Sequence, residues 1–244
     1  MSLTATTCAT SRPMADLTLI LETSTGTGSL ALARGAVVIA EASAPMRGAD
    51  GERLMPTLVQ LLDDAGVSTV DVQRVVCGEG PGGFTSLRIA AAIAKGLAES
   101  LGVPLWSASS LAVLALGALP GRTAPGTPGG AIAVLDALRG EWYARHFGLD
   151  AAGMLEARSP GALMDGDGVS ALAARVGATI IGPGATAFDG GVSAMPQARD
   201  VLRLTEGDFL RPVDLAAWEP DYGRLAEAQV KWEQAHGRPL GLAG

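Results

Sequence analysis

Residues 17–21 (LTLIL) form a short apolar run closed by Glu22, which predicts a buried strand. A Ser/Thr/Gly turn over 23–28 follows, then two more strand patterns, 29–33 and 37–42, around Arg34 and Gly35. These three read as a meander. Over 51–65 the apolar residues fall at helical spacing. Leu54, Met55, Leu58, Leu61 and Leu62 predict an amphipathic helix that Gly66 stops. A strand over 72–77 and a long helix over 84–101 come next. The helix has Leu87, Ala91, Ala94, Leu97, Ala98 and Leu101 on its apolar side and Gly102 at its end. A short strand at 105–106 and a helix over 110–119, capped by Ser109 or Ser110, close this half of the chain.

Residues 120–130 (PGRTAPGTPGG) interrupt the pattern and mark a linker. Beyond it the opening motif restarts: an apolar strand over 131–135 ends in Asp136, a turn holds Gly140, and a second strand runs over 142–147. A repeat this long is a whole α/β half, not a solenoid module. The expected organisation is a loose tail over 1–16, a first lobe over 17–119, the linker, and a second lobe over 131–244. Within the second lobe, 161–176 contains a helix, 178–181 a strand, 182–184 a tight turn and 225–236 a last helix.

Composition narrows the function. The 244 residues are 48% apolar and carry 25 acidic against 18 basic side chains, a net charge of −7 with no basic run. Gripping nucleic acid needs clustered Lys and Arg, so the chain alone is expected not to bind nucleic acid. Cys8 and Cys77 are too few for a disulfide framework, and the N-terminus lacks the apolar core of a signal peptide. The longest apolar stretch, 111–119, is far short of the roughly 20 residues of a membrane span. A cytoplasmic protein is the expectation. The only histidines, His146 and His236, make neither a nucleophile's base nor a zinc set by spacing.

Three features remain as candidate chemistry. The strand-to-helix loop 78–83 (GEGPGG) could present N–H groups to an anion, but it lacks a P-loop's Lys, and Glu79 repels phosphate; a tight packing turn is the competing reading. Glu22 and Asp136 end equivalent strands, where α/β ligand clefts lie. Two facing acids could hold a hydrated magnesium ion, though the longer Glu22 suits its geometry poorly; capping a turn is the alternative. Finally, helices 51–65 and 84–101 carry more apolar residues than one sheet-facing stripe requires. The alanines Ala90, Ala91, Ala94 and Ala98 allow close helix approach.

The runs LETS (21–24), ERLMP (52–56), GEGPGGFTSLRIA (78–90) with AKGLA (94–98), SSL (109–111) and DALRGEWY (136–143) occur in an order that resembles the TsaB (YeaZ) family. The resemblance extends from about Leu17 to EPDY (219–222). It implies an α/β, actin-like ATPase (ASKHA) fold of two duplicated RNase H-like lobes, the second reduced. It also implies a non-catalytic scaffold that binds and activates the threonylcarbamoyltransferase TsaD in tRNA modification, with TsaE as a further partner and a homodimer in isolation. The family's two-helix partner surface maps onto Glu52, Arg53, Leu54, Met55, Leu58, Phe84, Leu87, Arg88, Ala91, Ala94 and Lys95. A charge at Ala91 or Ala94 is then expected to block association and leave the fold intact. The degenerate nucleotide site maps onto Glu22, Ser24, Asp136, Gly182 and Gly184. No tightly bound cofactor is expected, and nucleotide only in complex with partners. The chain departs from the family pattern at Glu22, in place of Asp; at Asp50, in place of His; and at Glu79, Gly83, Ser86, Leu87 and Ala90 in the glycine run. Glu79 replaces an Arg, which raises the prospect of a matching charge on the partner. The alternative is an ATP-using kinase or acyltransferase of the same superfamily. A glycopeptidase is disfavoured by the missing metal-binding histidine pair.

Overall fold

The computed structural model describes residues 16–46, 53–119 and 129–223, with His236 alone beyond them. The tail, most of the linker, the start of the 51–65 helix and the 225–236 helix other than His236 lie outside the described residues.

The first sheet is built as the apolar periodicity predicts. β1 (Leu17–Glu22), buried at every position, pairs antiparallel with β2 (Thr27–Arg34), which pairs antiparallel with β3 (Val37–Pro45). β4 (Arg74–Gly80) lies parallel to β1 on its other side, and β5 (Leu105–Ser109) parallel to β4. The order β3-β2-β1-β4-β5 is that of an RNase H-like sheet. α1 (Leu54–Asp64) and α2 (Phe84–Leu101) cover one face of it. α3 (Ser110–Ala118) covers the other; buried from Ser110 to Leu116, it is apolar all round because it is sandwiched.

The repeat read in the sequence is a repeat of topology. β6 (Ala131–Asp136) and β7 (Glu141–Leu149) form a hairpin; β8 (Leu155–Ala157) and β9 (Ala162–Asp165) pair with β7. α4 (Gly166–Val176) leads to β10 (Thr179–Ile181), parallel to β6. The order β8-β7-β6-β10 repeats β3-β2-β1-β4, with no counterpart of β5 among the described strands. The second lobe is therefore the reduced one. Five layers result: α1 and α2, first sheet, α3, second sheet, α4. The middle core joins the lobes, with Ile20, Val76 and Leu114 on one side and Leu135, Tyr143 and Phe147 on the other.

One expectation is corrected. The stretch after 131 does not stay in the second lobe. β11 (Leu210–Pro212) pairs with β5 and extends the first sheet, and Val213, Leu215 and Trp218 pack into the core beneath α1 and α2. β8, β9 and β11, of three or four residues each, carry no apolar run like that of β10 and were not legible. Among the described residues no helix is long and apolar enough to cross a membrane.

Candidate functional site

β1 delivers Glu22 to the end of the sheet, where the parallel register with β4 stops at Leu21 beside Cys77. The next residue of β4 is Gly78, and the Glu22 carboxylate occupies the place its Cβ would take. Glu22 is only 1% exposed. Its Oε1 accepts the Ser24 N–H at 2.8 Å, and its Oε2 accepts the Ser110 hydroxyl at 2.8 Å. Ser110 Oγ in turn accepts the Gly80 N–H at 3.2 Å. The carboxylate thus ties β1, the 78–83 loop and the first residue of α3 together. Burial pushes its carboxyl above the ordinary range, against the opposing pull of the Ser24 and Ser110 hydrogen bonds. Burial, and secondarily Glu22 and Glu79, push the adjacent Cys77 thiol up as well, which makes it an inert core residue.

Asp136 takes no part in the Glu22 hydrogen bonds. It is exposed, and its Oδ1 accepts the Leu138 N–H at 2.7 Å, opening a hairpin turn in which Leu138 and Arg139 both take left-handed backbone (φ 66° and 59°). Side-chain capping of a turn is a familiar role for Asp. Gly182 passes against the Val134 carbonyl, and Gly184 against the Trp142 ring, which itself packs on Phe188 at 5.1 Å. The 78–83 loop is likewise engaged internally: the Gly83 N–H donates to Ser24 O at 2.9 Å, and Thr23 Oγ1 donates to Ser86 O at 3.1 Å. Of the two readings of this loop, the packing turn fits the geometry. Among the described residues, no group of three or more His, Cys, Asp or Glu side chains could hold a metal ion. His146, on β7, is buried and bonded through its ring to Gly129 O.

Glu79 meets its opposite charge inside the chain. Arg211 on β11 forms a two-pronged pair with it, Nη2 to Oε2 at 2.9 Å and Nη1 to Oε1 at 3.3 Å. Glu79 therefore has its complement within the chain, on the edge strand β11.

The helix positions divide sharply. Leu54, Leu58, Ala91 and Ala94 are buried beneath the helices, against their own sheet, and Leu87, also buried, lies against Gly80 at the end of β4. The alanines serve close approach of α2 to β4, so these five cannot touch a partner in the folded lobe, which corrects the expectation. Phe84 and Lys95 are half-buried and engaged: Phe84 lies 4.6 Å from the Tyr222 ring, and Lys95 Nζ donates to Trp218 O at 2.8 Å. Arg53, Met55 and Arg88 are exposed; Glu52 lies outside the described residues. The outer face also presents Val59 on α1 and Ala92 and Gly96 on α2, which the sequence reading missed. The signal was present as four-residue spacing, Met55 to Val59 and Ala92 to Gly96.

Among characterised proteins, a TsaB from Bacillus subtilis, named a tRNA threonylcarbamoyladenosine biosynthesis protein, is 30% identical over 233 residues, covering 88% of this chain and 96% of that protein. The chain belongs to the TsaB family. The Escherichia coli TsaB is 33% identical over 103 residues, 42% of this chain and 43% of that protein. A Pseudomonas aeruginosa structure, described as an uncharacterized protein with similarity to peptidase YEAZ, superposes with a TM-score of 0.69 at 28% identity, covering 86% of this chain and all of that one. Residues 49–153 match the family described as TsaD, tRNA N6-adenosine threonylcarbamoyltransferase. The two-lobed architecture is the actin-like fold of TsaB, with the second lobe cut down.

The buried carboxyl gives this TsaB-family chain a pH signature. The folded state holds the Glu22 proton to a higher pH than the unfolded chain, so between the two pKa values the folded state carries more protons. Stability therefore falls as pH rises from near 4.5 through the folded value, and levels off above it. Asp200, whose carboxyl burial also pushes up against the pull of Arg203 and Arg199, adds to the same slope. Urea unfolding across this window should show the decline, and Glu22→Gln should flatten it; an unchanged slope in that variant would remove Glu22 as its source.

Proposed function

We propose that this chain is the non-catalytic subunit that binds and activates TsaD in the threonylcarbamoyladenosine modification of tRNA. The observation that carries this reading is the outer face of α1 and α2, where Met55, Val59, Ala92 and Gly96 stand exposed. Two apolar side chains exposed on one helix and two small residues exposed on the other suit a partner's helices packed at close range. The engaged state of Glu22 supports a scaffold role over the ATP-using alternative: the buried carboxylate has both oxygens taken by Ser24 and Ser110 and is not left poised to hold a hydrated cation. The family names of its relatives support the pathway. The net charge of −7 supports a subunit that leaves tRNA to its partners. In this reading nucleotide enters only with the assembled complex, TsaE is a further partner, the same face forms a homodimer when TsaD is absent, and the setting is cytoplasmic.

An interface of this kind buries about 1,200–2,000 Å² in total. A charge at its centre is desolvated without a partner, so Val59→Arg should weaken TsaD binding at least roughly a hundredfold while leaving the thermal melt unchanged. Calorimetric titration with TsaD, alongside reconstituted tRNA modification, checks both halves. Full modification activity with folded Val59→Arg would place the partner surface elsewhere. Multiple ATP turnovers by the pure chain, lost in Glu22→Ala, would favour the enzyme.

A further inference from the structure

The lobes are joined at α3 by the middle core, and a second connection sits away from it. Residues 219–223 (EPDYG) run between the end of β4 and β7. On the first-lobe side, the Asp221 N–H donates to Glu79 O at 2.7 Å, and the Tyr222 ring packs on Phe84 at 4.6 Å, tilted by 46°. On the second-lobe side, the Tyr143 hydroxyl donates to Tyr222 O at 3.0 Å. Gly223 (φ +69°) lies so close to the Tyr143 ring and to Pro81 that any Cβ there would collide with the ring. The segment is stiffened from within and behind. Asp221 Oδ1 accepts the Gly223 N–H at 2.8 Å, Pro220 is buried, and Trp218 is anchored beneath α2, its carbonyl held by Lys95.

We propose that residues 219–223 form an interlobe latch that closes the gap between the 78–83 loop and β7 and holds the two lobes at a fixed separation. Three features argue for it. The contacts reach one lobe through main-chain atoms and an aromatic ring, and the other through a tyrosine hydroxyl, so the strap depends on both lobes at once. It lies against the loop that opens α2, where a lobe-closing protein would keep room for a ligand. It also fixes the first turn of α2, so Arg88, whose guanidinium stands 5.3 Å over the Phe84 ring, is presented at a set position. The latch makes this chain a rigid pair of lobes instead of a hinge. It stands apart from the partner reading, since it concerns how the lobes are held and not what binds outside them.

Hydrogen exchange on the full chain, read by mass spectrometry, tests the latch with two substitutions. Tyr143→Phe removes only the hydroxyl that reaches Tyr222. It should speed exchange in peptides covering 78–87 and 141–146 about fivefold, the effect of one hydrogen bond. Gly223→Val places a side chain into the Tyr143 ring and should speed the same peptides by more than about tenfold, with β2 and β3 unchanged. Unchanged exchange in both peptides of Tyr143→Phe overturns the latch, as does faster exchange confined to 213–222 in Gly223→Val. If Gly223→Val loses protection in β2 and β3 as well, that variant has not folded and Tyr143→Phe decides.

Discussion

Ala94→Arg is expected to unfold the first lobe, while Ala92→Arg leaves it folded and abolishes association. The two alanines are two residues apart on α2 and face opposite ways. Ala94 is fully buried, in one core with Val75 and Cys77 of β4 and Leu19 and Leu21 of β1. A guanidinium there loses its hydration with no described carboxylate in that core to pair with, and its long stem overfills a close-packed layer. Together these cost several kcal/mol, a large part of the 5–15 kcal/mol that holds a typical domain. Ala92 is exposed, so an Arg there reaches water in the free chain. It meets trouble only when a partner helix covers it. Thermal melts by circular dichroism separate the two fates, and gel filtration reads association. A cooperative, near-wild-type melt for Ala94→Arg would mean that α2 does not pack on its sheet as described. Ala91→Glu belongs with Ala94→Arg, because Ala91 is buried too.

The same pair of positions explains what the sequence could and could not convey. Apolar runs and the glycine stops placed β1 and α2 almost to the residue, and β2, β3 and β4 to within three residues at either end, because burial against a sheet demands them. The restart after the linker was legible because β6 and its closing acid reproduce β1 and Glu22 in type. The direction of α2 was not. Its apolar residues cover more than one side: alanines at 90, 91, 94 and 98 are buried, and Ile89, Ile93 and Leu97 flank them half-buried. Small size then reads equally well as closeness to the sheet or closeness to a partner, and only the structure shows the sheet has them. Leu87 and Leu58 misled for a similar reason, since a leucine on a helix names no neighbour. The roles of Glu22 and Asp136 depended on contacts 88 residues away in one case and two in the other, and a strand-end acid looks alike in both. The return of β11 and the 213–222 stretch was hidden, because their anchors, Trp218 and Tyr222, act singly and without period.

Gly78→Ala should be among the most damaging single changes in the chain, and Glu22→Asp should partly repair it. The new methyl would be driven into the Glu22 carboxylate. That carboxylate has nowhere to go: it is buried, and the Ser24 N–H and the Ser110 hydroxyl hold it on two sides. Either β4 moves off β1 or the two charged hydrogen bonds break. Overpacking costs about 1–3 kcal/mol, and a hydrogen bond to a charged group about 1.5–3 kcal/mol, so a loss of roughly 3 kcal/mol is expected. Glu22→Asp draws the carboxylate back by about one carbon–carbon bond, 1.5 Å. Alone it is mildly destabilising, by about 1 kcal/mol, because a methylene's worth of space empties and Ser110 is left at longer range. In the double variant the vacated space receives the methyl. The two changes should therefore be non-additive by at least about 1 kcal/mol, with the double variant more stable than Gly78→Ala. Urea unfolding of the wild type, both single variants and the double variant closes the cycle. Simple additivity would mean that the methyl is relieved by backbone movement elsewhere, and that the length of the acid at position 22 is not matched to the bare glycine opposite. A coupled pair would establish that the glutamate fills the core against β4, a structural role that an aspartate in its place is too short to take.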